Sequence, residues 1–177
     1  TMRVVGEFHT FVHFVTHTHV SPFIAELTRI SDADVAGGVP FATALANFEH
    51  FLRAHNAADA RHTLFVTCGS WDLKTMFVRQ LELTRVRPST TVAVMMSRWC
   101  NIKLAYARHT GGGKQRGMDA MLRERHLPLV GHHHSGIDDT RNIAALLLDL
   151  RGHRQRASTL AADLAAGALA QQQQQQQ

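Results

Sequence analysis

Between Phe41 and Leu52 the apolar residues Phe41, Ala44, Leu45, Phe48, Phe51 and Leu52 recur at intervals of three and four. Following the breakers Gly37-Gly38 and Pro40, this spacing predicts an amphipathic helix. Upstream, Glu7 to Val15 alternates loosely, with Phe8, Val12 and Phe14 on one face, and His9, Thr10 and His13 interrupt it. That pattern predicts a half-buried, edge-type strand. Ser21-Pro22 supplies an N-cap and a first-turn proline for a short helix carrying Phe23, Ile24 and Leu27, and Ser31-Asp32 repeats the start signal.

Downstream, the β-rich run Thr63 to Thr67 ends at Cys68-Gly69-Ser70 and predicts a buried strand. A helix is predicted from Asp72 to Thr84, on Leu73, Met76, Phe77, Leu81 and Leu83. Thr91 to Met96 fits strand or helix by periodicity, and Trp99 to Tyr106 is predicted to run on into helix. Gly111-Gly112-Gly113-Lys114 reads as a flexible loop and Met118 to His126 as a helix. A last helix, Asp138 to Leu150, is predicted to turn Ile143, Ala144, Leu147 and Leu150 inward. Strands alternating with helices give an α/β architecture.

With 177 residues and 45% hydrophobic content, the chain can build one domain with a real core. That domain is expected over residues 1–152. Residues 153–177, Ala-rich and ending in Gln171 to Gln177, are expected to form a helix or flexible tail without a core. Thr1 before Met2 reads as a start interior to a longer product. The formal charge of +5, from 19 Lys and Arg against 14 Asp and Glu, favours a polyanionic partner such as nucleic acid. Cys68 and Cys100 lie far apart with no CxxC pair, which argues against a disulfide framework and a cysteine zinc site, and for an intracellular setting. No stretch reaches the ~18 apolar residues of a membrane span.

Two blocks place acidic residues where a strand or loop hands over to a helix: Thr67-Cys68-Gly69-Ser70-Trp71-Asp72, and His134-Ser135-Gly136-Ile137-Asp138-Asp139-Thr140-Arg141-Asn142-Ile143-Ala144. A carboxylate at the end of a strand is held by the sheet, and one in a helix's first turn can face the same cleft. Asp72 and Asp139 are therefore candidates to share a hard divalent cation, which takes carboxylate oxygens and water. His134 precedes Asp139 across a glycine-containing turn and is a candidate general base for water.

The second block resembles the His-x-Gly-x-Asp-Asp-x-x-Asn-Ile-Ala signature of the histone-mRNA and small-RNA 3′-exonucleases, a subgroup of the DEDDh-type 3′→5′ exoribonucleases. In that family a strand ending in Gly-x-Trp-Asp supplies a third carboxylate, and Gly69-Ser70-Trp71-Asp72 resembles it. Leu27-Thr28-Arg29-Ile30 resembles the family's Leu-Thr-Gly-Ile turn, and Trp99-Cys100-Asn101-Ile102-Lys103, followed by Tyr106, resembles its Trp-x-Asn-Leu/Ile-Lys stretch. The resemblance runs from about Gly6 to Leu150 and implies a ribonuclease H-like α/β fold, a mixed sheet flanked by helices.

It also implies two Mg²⁺ or Mn²⁺ ions per site, with Asp72 and Asp139 as ligands and His134 as the base. The implied partner is an RNA 3′ end, single-stranded or structured with a short overhang, released as nucleoside 5′-monophosphates in the cytoplasm or nucleus. Trp71, Lys74, Trp99, Lys103, Tyr106 and Arg141 are the candidate nucleic-acid contacts. Asp138 reads as a first-turn residue favoured by the helix dipole. The family opens with a strand reading Asp-x-Glu, which supplies the other two carboxylates, and no Asp-x-Glu occurs in these 177 residues. The family's sheet order puts its first two strands between the segments Glu7 to Val15 and Thr63 to Thr67, which without them are expected to lack neighbours and to fold poorly alone.

Other motifs carry less. His132-His133-His134 is expected not to converge on one ion, because adjacent side chains of an extended segment alternate. His9, His13, His17 and His19 read as exposed strand and loop residues. Gly111 to Lys114 lacks the first Gly and the Ser/Thr of a phosphate loop, and Ser135 lacks the flanking glycines of a hydrolase elbow. Two functions stand: a 3′→5′ exoribonuclease, or a non-catalytic RNA-binding or assembly module on the same scaffold.

Overall fold

The computed structural model describes residues 3–17, 19–152, 157, 161 and 162. In chain order its elements are α1 (Pro22–Thr28), α2 (Asp32–Ala36), α3 (Phe41–Ala54), β1 (Phe65–Thr67), a π-helical turn (Asp72–Met76), α4 (Phe77–Thr84), α5 (Thr90–Ser97), β2 (Trp99–Asn101), α6 (Ile102–His109), α7 (Met118–Glu124) and α8 (Gly136–Leu150). The predicted tail, 153–177, falls almost wholly outside the described residues. Among the described residues no helix is long and apolar enough to cross a membrane.

The chain divides into two compact units, one made of Val5–Glu26 and Ile30–Asn101, the other of Thr1–Val4, Leu27–Arg29 and Ile102–Gln177. In the first, α3 is built as its periodicity requires. Leu45 and Leu52 are buried with Val92 and Met95 of α5, and Phe41, Phe48, Phe65, Phe77 and Leu81 pack around them. Each such buried side chain contributes roughly 1.5–3 kcal/mol. The spacing of Val92 and Met95 settles the ambiguous stretch as helix, and the Ser89 hydroxyl caps it by accepting from Val92 N at 3.3 Å. Ser89 N in turn donates to Glu49 Oε1 of α3 at 3.0 Å.

β1 and β2 pair in parallel, Phe65 opposite Trp99 and Thr67 opposite Asn101. Trp99 to Asn101, predicted to belong with the helix, is thus a strand, because β1 offers it a ladder that local periodicity does not reveal. β1 is shorter than predicted and only half-buried. Thr63 is drawn back into a turn, its N–H donating to Asp59 O at 2.9 Å and its hydroxyl to Ala57 O at 3.0 Å.

The strand predicted at Glu7 to Val15 does not form. A strand needs a continuous ladder, and this segment has one parallel bridge, Val12 to Val39, with His13 N→Val39 O and Val39 N→Phe11 O both at 3.0 Å. Gly38 permits the approach: a Cβ there would lie 2.8 Å from the Phe11 carbonyl carbon. Phe8 anchors the segment on α3, its ring 5.7 Å from those of Phe48 and Phe51. The expectation that both segments lack neighbours is corrected, since β2 pairs with β1 and Val39 bridges Val12.

In the second unit α8 packs on α6 and α7. It begins two residues before its predicted start, with Asp139 N donating to Ser135 O at 2.8 Å. Its buried residues are Asn142, Ala145, Leu146, Leu148 and Asp149 instead of Ile143, Ala144, Leu147 and Leu150, which are half-buried. The difference has a polar cause: Asn142 and Asp149 find partners inside, so the inward face includes residues that hydrophobicity alone assigns outward. α7 ends at Glu124 because His126 takes φ 53° and Leu127 N closes back on Leu122 O at 2.9 Å.

Candidate active-site segments

The second unit presents the signature block as one hydrogen-bonded clasp. Asn142, fully buried, accepts from Val130 N at 2.9 Å and donates through Nδ2 to Val130 O and Asp138 O, both at 2.8 Å. It thereby ties α8 to the segment that carries the histidines, a positioning part that its polarity alone did not disclose. Asp138 serves the same clasp: its carboxylate accepts from His132 N at 3.0 Å and from Arg141 Nη1 at 3.1 Å. That bears out its first-turn position in α8.

Gly131, at φ 69°, makes room for this carboxylate, since a Cβ there would lie 2.2 Å from Asp138 Cγ. We expect Gly131→Ala to cost roughly 1–3 kcal/mol for the left-handed backbone alone and to expel the Asp138 carboxylate as well. A melting curve coincident with the unmodified chain would refute this account.

His134 also has a left-handed backbone, at φ 76°, and its N–H donates to Asp139 Oδ1 at 3.2 Å. The positive φ breaks the alternation of an extended segment. The rings of His133 and His134 consequently stack, 4.0 Å apart and inclined by 10°. The expectation that adjacent histidines diverge is therefore corrected for this pair, and one nitrogen from each ring lies with an Asp139 oxygen inside a 4.8 Å group. His132 is turned elsewhere, its Nε2 donating to Leu27 O at 3.0 Å. His134 is exposed, His133 and Asp139 half-buried.

In the first unit β1 delivers Asp72. After Thr67 the chain turns at Gly69, φ 122°, where the Thr67 hydroxyl donates to Gly69 O at 2.6 Å. Trp71 and Asp72 follow at once, and Asp72 opens the π-helical turn by accepting Phe77 N at its carbonyl. Asp72 and Lys74 are exposed and Trp71 is 62% exposed. Carboxyl ends of parallel strands are where α/β sheets collect ligand groups, and π-turns recur at functional sites.

Of the nucleic-acid candidates, Trp99 and Lys103 are half-buried. Arg141 is held by Asp138. Tyr106 is corrected. It is 2% exposed and its hydroxyl donates to Glu124 Oε2 at 2.6 Å, so no ring face is open to a base. Burial, and then that hydrogen bond, push its phenol up to about 12. Arg29 stands at φ 61° where the family pattern has glycine, a left-handed position that a side chain occupies at a cost.

The sequence profile of the Exonuclease family (RNase_T) matches residues 1–147. The chain belongs to this family. It is 34% identical to the human protein ERI1 exoribonuclease 3 over 151 residues, 85% of this chain and 44% of that protein. It is 27% identical to ERI1 exoribonuclease 2 of Xenopus laevis, over 81% of this chain and 22% of that one. The chain thus spans less than half the length of these curated relatives.

Two solved structures share the fold. One is a 3′-exonuclease described in 3′-end specific recognition of a histone mRNA stem-loop, with TM-score 0.73 and 21% identity over 88% of this chain and 52% of that one. The other is the nuclease domain of a DEDDh family member bound to rAMP, with TM-score 0.70 and 23% identity over 83% and 73%. The resemblance is borne out at the level of the exonuclease family, and the ribonuclease H-like expectation at the level of fold.

Proposed function

We propose that this exonuclease-family chain carries part of the catalytic centre of a 3′→5′ exoribonuclease that releases nucleoside 5′-monophosphates from RNA 3′ ends. The carrying observation is the start of α8, where the exposed His134 imidazole stands in one group with the Asp139 carboxylate. Asp139 fits a divalent cation as an oxygen donor: its carboxylate is half-buried at the start of α8, where one oxygen orders the His134 turn. Asp72, exposed at the first residue of the π-helical turn that follows β1, is the second ligand by motif. When bound, two Mg²⁺ or Mn²⁺ ions supply charge that stabilises the attacking and leaving oxygens of the phosphodiester.

The remaining work falls to the chain's own side chains. His134 takes the proton of the attacking water, its backbone held by Asp139 while its ring stays open to solvent. Trp71 offers an exposed ring for an unstacked base, and Lys74 an ammonium for the phosphate backbone. Trp99, Lys103 and Arg141 complete the proposed RNA contacts. The setting is intracellular, cytoplasmic or nuclear, and a 3′ overhang on a structured RNA is the proposed substrate.

The second reading, a non-catalytic RNA-binding or assembly module, is favoured by one fact: no Asp-x-Glu stands among these 177 residues. Two tests separate them. An apolar strand with Asp-x-Glu encoded ~35 residues before Glu7 supports the enzyme. The full gene product is then given a 5′-labelled RNA with a 3′ overhang, in Mg²⁺ and in chelator. The enzyme yields a ladder and nucleoside 5′-monophosphates in Mg²⁺ only; RNA bound but left intact in Mg²⁺ overturns the reading in favour of the module.

A further inference from the structure

The donor set at the start of α8 is not one that magnesium selects. Mg²⁺ takes oxygens, whereas two imidazole nitrogens with one carboxylate suit Zn²⁺ and its transition-metal neighbours. We propose that His133, His134 and Asp139 form a mononuclear site for such a cation, Zn²⁺ foremost, and that filling it stops RNA trimming by engaging the His134 imidazole. The second half rests on the reading of His134 as the base; the binding site does not.

Several observations converge on the site. The left-handed backbone at His134 places two consecutive rings face to face, 4.0 Å apart. Their nitrogens and an Asp139 oxygen lie within 4.8 Å of one another, against about 3.4 Å between donors of a tetrahedral Zn²⁺ with bonds near 2.05 Å. Because stacked rings carry their nitrogen lone pairs in near-parallel planes, binding requires the two imidazoles to tilt toward a common point as the donors draw together.

The donors are also available. Among the described hydrogen bonds neither imidazole is engaged by the protein, and the Asp139 carboxylate is engaged at Oδ1, by His134 N. His134 is exposed, so a water can complete the coordination, as in zinc sites with three protein ligands. The positive end of α8 opposes a cation there, and the carboxylates of Asp138 and Asp139 in its first turn offset it. His133 lies just before the family signature, which begins at His134. The third donor thus stands outside the residues that carry the resemblance.

The test titrates the full-length protein with Zn²⁺ against a chromophoric chelator, without Mg²⁺. One equivalent is expected to bind, at least tenfold more weakly in His133→Ala. A melting curve of metal-free His133→Ala checks its fold. On the unmodified protein, the imidazole ¹⁵N resonances of both His133 and His134 are expected to move as Zn²⁺ is added, which keeps the site testable should the variant misfold. Affinity indifferent to His133→Ala in a folded variant, or resonances that stay in place, overturns the site.

In trimming assays at fixed Mg²⁺, Zn²⁺ is expected to inhibit. The half-inhibitory concentration, taken against each protein's own zinc-free rate, should rise at least tenfold in His133→Ala. Zinc that binds through His133 without slowing trimming overturns the inhibitory half. Zinc binding as expected in a protein that trims nothing in Mg²⁺ leaves the metal site standing and removes the exoribonuclease reading instead.

Discussion

Asp139→Asn and Asp72→Asn in the full-length protein each abolish Mg²⁺-dependent trimming, and His134→Ala lowers turnover by roughly 10²-fold or more, about 2.7 kcal/mol of barrier. The carboxamide keeps an oxygen where Asp139 Oδ1 accepts the His134 N–H, so the turn survives while the charge is lost. Asp72 is exposed at the first residue of the π-helical turn, and its replacement is expected to change stability by no more than ~0.5 kcal/mol. Two like-charged ions held about 4 Å apart need anionic ligands to offset their repulsion, which a neutral amide cannot supply. The assays are single-turnover trimming rates, RNA affinity and melting curves for each variant. Normal trimming by either Asn variant removes that residue from the ligand set, and retained turnover in His134→Ala removes the base.

Arg125→Met is expected to be the most destabilising change in the unit that carries the signature. The Asp149 carboxylate of α8 has no exposed side-chain surface, and the Arg125 guanidinium just past α7 donates to it from Nε. Taking away one partner of a buried ion pair leaves a charge in a poorly polarisable interior, a loss of roughly 3–5 kcal/mol, or ~10 °C in melting temperature for a chain of this size. The pair itself contributes far less than that figure. A double variant, Arg125→Met with Asp149→Leu, therefore recovers most of the loss, because an apolar pair of similar volume is near neutral. A single variant that melts with the unmodified protein, or a double variant that melts lower than the single, contradicts this account.

The parts of this protein that depend on neighbours in sequence were legible before any coordinates. α3 follows from its three-and-four spacing, the first turns of α1 and α2 from Ser21-Pro22 and Ser31-Asp32, and the first-turn places of Asp138 and Asp139 in α8 from the glycine-containing turn before them. The Ser31 capping box, closed by Asp34, is local chemistry of the same kind. Most of what was misjudged depends on a distant partner.

Trp99 to Asn101 becomes a strand because β1 is there to pair with it, and Glu7 to Val15 forms one bridge and no ladder because a ladder is a property of two chain segments. Tyr106 is drawn inside by Glu124, eighteen residues on. Asn142 and Asp149 face the interior because Val130 and Arg125 receive them. The convergence of His133 and His134 rests on a single backbone angle, φ 76° at His134, which the clasp of Asn142, Gly131 and Asp138 holds from either side. Residue types and their spacing determined which chemistry this chain can carry. Long-range hydrogen bonds and burial decided which of those side chains reach solvent together, because such contacts have no local periodicity to betray them.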